Sequence, residues 1–147
     1  RYLDEVTLPA LERGMRRRAR ARDDFQVCAE VMVATGADDT ELAAAAAAVR
    51  KQIAFYGSTP AYRTVLELHG WGDLHTELHR LSLAGEWDAM AALIDDEMLA
   101  TFAVVGAADT VATALRHRCD GAVDRVLPIF PTASTTRVAA ILKEFRE

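Results

Sequence analysis

The stretch FQVCAEVMVATG, residues 25–36, constrains the fold more than any other part of the chain. Successive side chains of a strand point to opposite faces, so Phe25, Val27, Ala29, Val31 and Val33 share one side. Gln26, Cys28, Glu30 and Met32 share the other, which is mixed rather than fully polar. Such a strand puts one face into an apolar core and turns the other toward a packed, partly polar interior. Gly36 ends it.

Nearly everything around this strand has helical spacing. In RYLDEVTLPALERGMRRRARAR, Thr7 is placed to cap and Pro9 sits where a first turn tolerates it. Leu8, Leu11 and Met15 share a face, and Arg16, Arg17, Arg18, Arg20 and Arg22 follow. After the strand, Asp38 with Glu41 has the form of a capping box. The helix it starts runs through the alanines of Ala43–Ala48 to about Phe55, with Gly57 expected to close it in the left-handed conformation. Thr59 and Pro60 open the next helix, and Gly70 ends it. Asp73 is expected to cap a third, with Leu74, Leu78 and Leu81 on one face. Gly85 separates a fourth, carrying Trp87, Met90, Leu93 and Ile94.

Two further strand candidates follow. FAVVG, residues 102–106, reads either as a short strand or as a buried entry to the helix that Asp109 starts. DRVLPIF follows Gly121, and its Pro128 makes it an edge, a bulge or a strand end. Ser134 caps a last helix with Val138, Ile141, Leu142 and Phe145.

Strands separated by helices imply a parallel sheet. Two or three parallel strands do not stand alone, because both faces and both edges need cover. The reading is therefore one arc of a larger α/β sheet or barrel. A complete eight-stranded α/β barrel takes about 250 residues, and this chain has 147. The chain opens on Arg1 rather than methionine, which fits a piece of something longer.

Charge narrows the function classes. Seventeen basic against 22 acidic side chains give a net charge of −5. That balance argues against a general nucleic-acid binder. The apolar runs are too short to span a bilayer, and no signal peptide is visible. Cys28 and Cys119 form neither a disulfide framework nor a metal spacing, so a cytoplasmic location is expected.

VVGAADTVATALRHRCDGAVDRVLPIFP, residues 104–131, resembles the closing segment of the luciferase-like flavin or deazaflavin oxidoreductases. The matching pieces are Val104-Val105-Gly106, Asp109, Leu115-Arg116, Gly121 and Asp124-Arg125-Val126. RYLDEVTLPALERG, KQIAFYGSTPAY at Lys51–Tyr62 and HGWGDL at His69–Leu74 resemble the branch that uses the deazaflavin coenzyme F420. The resemblance implies an α/β fold: the C-terminal portion of a TIM barrel, mostly helical with two or three parallel strands. It implies a single partial domain over residues 1–147, with a helical insertion at about 38–96. It further implies an oxidoreductase or monooxygenase fragment, inactive alone, whose complete enzyme holds F420 or, alternatively, FMN and acts on a small organic molecule. The catalytic acid or base would lie outside this chain. The competing reading is a non-enzymatic helical module that covers its apolar strand faces by homo-oligomerising.

In a barrel, chemistry sits at the C-terminal ends of the strands. That points to Thr35 and Gly36, to the inserted helices, and to Phe130, Pro131 and Thr132. Within the insertion, Tyr56, Ser58, Tyr62, His69 and Trp71 are the candidate lining of a substrate or cofactor pocket, with Glu30 added from the mixed face of the strand. The competing reading of the same residues is plain helix packing with glycine and proline turns. His75 and His79 share a helical face, as metal ligands often do, but HTELH is not the zinc-protease arrangement. They are expected to be solvated helix histidines, with no metal. A Ser58–His69–Asp73 triad has no strained nucleophile turn to support it. The arginine run reads as a solvated helix end. Arg125 is either structural or a pocket residue.

Overall fold

The computed structural model describes residues 1–121 and 123–146. A wide helical turn at Leu3–Thr7 leads into α1 (Leu8–Arg17), and β1 spans Cys28–Ala34. Then come α2 (Asp39–Ser58), α3 (Arg63–Leu68), α4 (Gly72–Ala84), α5 (Trp87–Ala92) and α6 (Asp96–Phe102). The chain closes with β2 (Ala103–Val105), α7 (Val111–Cys119), β3 (Arg125–Ile129) and α8 (Thr135–Arg146). This is an α/β architecture with three parallel strands, as expected.

The strand order is β2-β1-β3. β1 is thus paired on both sides, which is why its sequence pattern is the clearest in the chain. β3 runs beside it from Cys28↔Arg125 to Met32↔Ile129. Pro128 lies opposite Val31 on this edge strand, where a missing N–H is tolerated. β2 adds only Met32↔Ala103 to Ala34↔Val105.

The two faces of β1 organise two cores. Val31 and Val33 join Val104, Val111, Leu115 of α7 and Ile141 of α8. Met32 and Ala34 face the inserted helices, with Val49, Ile53, Leu78 and Met90. The second face is covered only toward its C-terminal end. Leu127 and Ile129 of β3, register partners of Glu30 and Met32, stay 55% and 37% exposed.

α2 owes its placement to small residues. Ala45, Val49, Ile53 and Gly57 recur every fourth position and are all buried. Asp38 Oδ1 accepts the Glu41 N–H, so the helix is capped as expected. The reciprocal half of the box does not form, because Glu41 Oε2 accepts the N–H of Ala37, one residue before the cap. Gly36 is required where the chain turns into this helix: a Cβ there would come within 2.3 Å of the Leu42 nitrogen. Gly57 corrects an expectation. The helix runs on to Ser58, and Gly57 is not among the glycines of positive φ. It is glycine because a Cβ would lie 2.8 Å from Leu78 Cδ1, so α4 packs against bare backbone.

His75 and His79 correct a second expectation. His75 is buried, and the Nδ1 atoms of the two histidines lie 2.8 and 3.1 Å from the carbonyls of Gly57 and Ser58. A carbonyl can only accept, so each ring carries its proton on Nδ1. The last carbonyls of α2 are thus satisfied from α4, in place of a glycine cap. Two further expectations fail locally. Thr7 makes no side-chain cap, because helical turns already run into it from Leu3. Asp73 falls inside the first turn of α4, where Trp71 holds the cap position without a side-chain bond.

The opposite end of the sheet is fastened by Asp124. One of its oxygens accepts the Val27 N–H at 2.7 Å and the Arg22 guanidinium at 2.7 Å. Arg22 therefore belongs to a tertiary contact rather than to the free arginine run, while Arg16, Arg17, Arg18 and Arg20 are exposed. The Val27 N–H first, and the Arg22 guanidinium second, hold the Asp124 carboxyl below the usual carboxylate range.

Three outcomes follow from this packing. Leu115→Ala, at a fully buried site, is expected to cost about 2–5 kcal/mol in urea unfolding. His75→Phe keeps the volume but strands the Gly57 carbonyl, and should cost about 1–3 kcal/mol by the same measurement. The contribution of Asp124 is present above the unfolded carboxylate value and is lost as pH falls through its depressed folded value. Asp124→Asn should therefore lower Tm at neutral pH, and the gap to the parent should close in acid; a gap independent of pH would contradict the assignment.

Candidate functional site

A cavity of about 420 Å3 opens on the uncovered part of the second sheet face. β1 contributes Glu30 and Met32 to its wall, and β3 contributes Ile129. The last two turns of α2 contribute Gln52, Ile53 and Tyr56, and Phe102 closes the end beside β2. Tyr62 comes from the short turn before α3 and sits against Tyr56, with ring centroids 5.2 Å apart and planes tilted by 51°. Glu30 is the one charged residue of this lining.

The structure thus brings Glu30, Tyr56 and Tyr62 around one cavity. It does not bring Ser58, His69 or Trp71 into that lining. Ser58 is buried, its Oγ donating to the Phe55 carbonyl at 2.7 Å. It is consumed by the helix end and does not meet His69. His69 donates from Nδ1 to the Val65 carbonyl at 2.9 Å. Its ring stacks on Trp71 at 5.3 Å, and both rings meet Phe102 edge-on, at 5.4 and 5.8 Å. His69 and Trp71 therefore stand behind Phe102 and fix its ring, and Phe102 is what faces the cavity.

Sequence reasoning missed Phe102, Ile129 and Gln52. In the sequence Phe102 is only the first residue of FAVVG, a short strand or a buried entry to the next helix. A signal for Ile129 existed: Leu127 and Ile129 alternate with Val126 and Pro128 as Glu30 and Met32 alternate with Val31. Gln52 lies one helical turn before Tyr56, so spacing alone would have placed both on one side of α2.

The chemistry of this wall is apolar contact with a few polar points. Two tyrosines, a phenylalanine and aliphatic side chains suit one face of a flat organic ring system. Glu30 and the tyrosine hydroxyls can orient polar substituents on it. The lining carries no cation, so a phosphate there would find only the tyrosine hydroxyls and the Gln52 amide as side-chain donors. Among the described residues, no group of three or more metal-binding side chains converges. No helix among them is long and apolar enough to cross a membrane.

Comparison with known proteins fits this architecture. The chain is similar to an uncharacterized protein of Mycobacterium bovis and to uncharacterized proteins of two strains of Mycobacterium tuberculosis. Each is 69% identical over 146 residues, which is 99% of this chain and 43% of the relative. The chain thus spans less than half the length of these curated relatives. The sequence profile of the luciferase-like monooxygenases matches residues 2–125, from the first helical turns to the first residue of β3. With that match over most of its length, the chain belongs to the luciferase-like monooxygenase family.

Proposed function

We propose that this chain forms the C-terminal part of a luciferase-like barrel and supplies one wall of its cofactor and substrate site. The observation that carries the reading is the half-covered sheet face. An apolar cavity with Glu30, Tyr56 and Tyr62 on its wall opens on the uncovered part of that face. The bound group would be coenzyme F420 or FMN, and it would supply hydride transfer to an organic acceptor or, with FMN, activation of oxygen. Tyr56, Tyr62 and Phe102 fit the apolar ring portion of such a group. Tyr56 and Tyr62 exclude water from the ring face, and the Glu30 carboxylate orients a polar substituent of the substrate. Cofactor choice, the small-molecule substrate and a cytoplasmic location all belong to this proposal. On this reading the 147-residue chain alone is inactive.

The exposed sheet face favours a second reading: Leu127 and Ile129 are the apolar residues that homo-oligomerisation would cover.

A fluorescence titration with F420 and with FMN, run beside light-scattering molar mass, separates the two. We expect no tight binding by the isolated chain and tight F420 binding by the longer protein. In the longer protein, Tyr56→Ala or Tyr62→Ala should weaken that binding about tenfold, the loss of one well-packed aromatic contact. Tight F420 binding by a monomer of the isolated chain would overturn the shared-wall proposal. A stable dimer of the isolated chain, with no cofactor binding by the longer protein, would establish the second reading.

A further inference from the structure

A second cavity, of about 360 Å3, lies at the C-terminal ends of the neighbouring strands β1 and β3, and it shares no lining residue with the first. Thr35, Glu41, Thr132, Ser134 and Arg137 give it a polar lining. Thr35 follows β1 directly and is 1% exposed. Its hydroxyl has no hydrogen-bond partner among the described residues. A valine would fill the same volume without stranding a polar group, so packing alone does not explain the threonine.

The other donors converge on the same space. Ser134 Oγ accepts the Arg137 N–H at 3.3 Å, so the first turn of the 12-residue α8 opens at the cavity. Helix N-termini carry unsatisfied N–H groups and the positive end of the dipole. The Arg137 side chain is mostly buried and meets Glu41 Oε2 at 2.7 Å. That oxygen also accepts the Ala37 N–H at 2.9 Å. The cavity therefore already holds one oxyanion between a guanidinium and a backbone N–H, and it comes from a half-exposed side chain that can swing outward.

We propose that this cavity binds the phosphate group of a phosphate ester. The phosphate displaces Glu41 from Arg137, accepts a hydrogen bond from the Thr35 hydroxyl, and accepts from N–H groups in the first turn of α8. A tetrahedral phosphate presents oxygens to donors from three elements at once, whereas a planar carboxylate reaches fewer of them. This site does not depend on the reading of the first cavity.

Calorimetric titration of the 147-residue chain with inorganic phosphate tests it, with acetate as the second probe. Phosphate should bind and acetate should not. Thr35→Val and Arg137→Gln should each weaken phosphate about tenfold or more, the loss of a hydrogen bond to a charged group. Thr35→Ser restores the hydroxyl and should keep the parent affinity. Glu41→Gln should tighten binding about threefold or more by removing the competing carboxylate. Far-ultraviolet circular dichroism confirms that each variant is folded. Absence of phosphate binding overturns the proposal. So does equal binding of acetate, or an affinity that Thr35→Val and Arg137→Gln leave unchanged.

Discussion

Everything in this molecule depends on β1 being paired on both sides. β3 takes one edge of β1 along Cys28–Met32 and β2 takes the other along Met32–Ala34, so the side chains of β1 have only its two faces to go to. The alternation along Cys28–Ala34 then divides the chain into two apolar groups. Val31 and Val33 collect α7 and α8, and Met32 and Ala34 collect the inserted helices. A shift of one residue in the pairing would exchange the two sets and put Glu30 among the valines. Register is therefore fixed from both ends: by Asp124 at the start of the strands and by the tight turn at Gly36.

The alanine-rich helix follows from the same constraint. α2 has to lie close to the sheet and also receive α4 on its other side. Ala45 and Gly57 keep its surface low where neighbours approach. Bulk is then supplied by the partners, chiefly Leu78, Met90 and Leu66. The alanine run, which says little by itself, has a definite packing role.

Much of this was legible before any coordinates. Period-two alternation pointed to β1, and Pro128 narrowed β3 to an edge, a bulge or a strand end, of which the edge is what forms. The Asp38 cap, the turns at Gly70 and Gly85 and the family resemblance could all be read from residue order. What could not be read was tertiary. Gly57 looks like a left-handed terminator until Leu78 is seen against it. His75 looks solvated until the carbonyls at the end of α2 are seen to need donors. Ser58, His69 and Trp71 have the composition of a pocket, but they are spent on a helix end and on bracing Phe102. Thr35 was placed correctly at a strand end, yet nothing in the sequence indicates that its hydroxyl lacks a partner. Each miss concerns which groups satisfy one another across elements, and that is not written in local spacing.

The paired histidines have a mechanical consequence. Tyr56, on the cavity wall, is directly followed by Gly57 and Ser58, whose carbonyls are held by two rings projecting from α4. The end of α2 is therefore coupled to α4 through two adjacent bonds rather than left to fray as most helix ends do. A displacement of the backbone at Tyr56 would strain both bonds or carry α4 with it, whereas a rotation of the Tyr56 ring alone would not. A ligand that shifts the backbone at the end of α2 would then be felt in the amide exchange of α4.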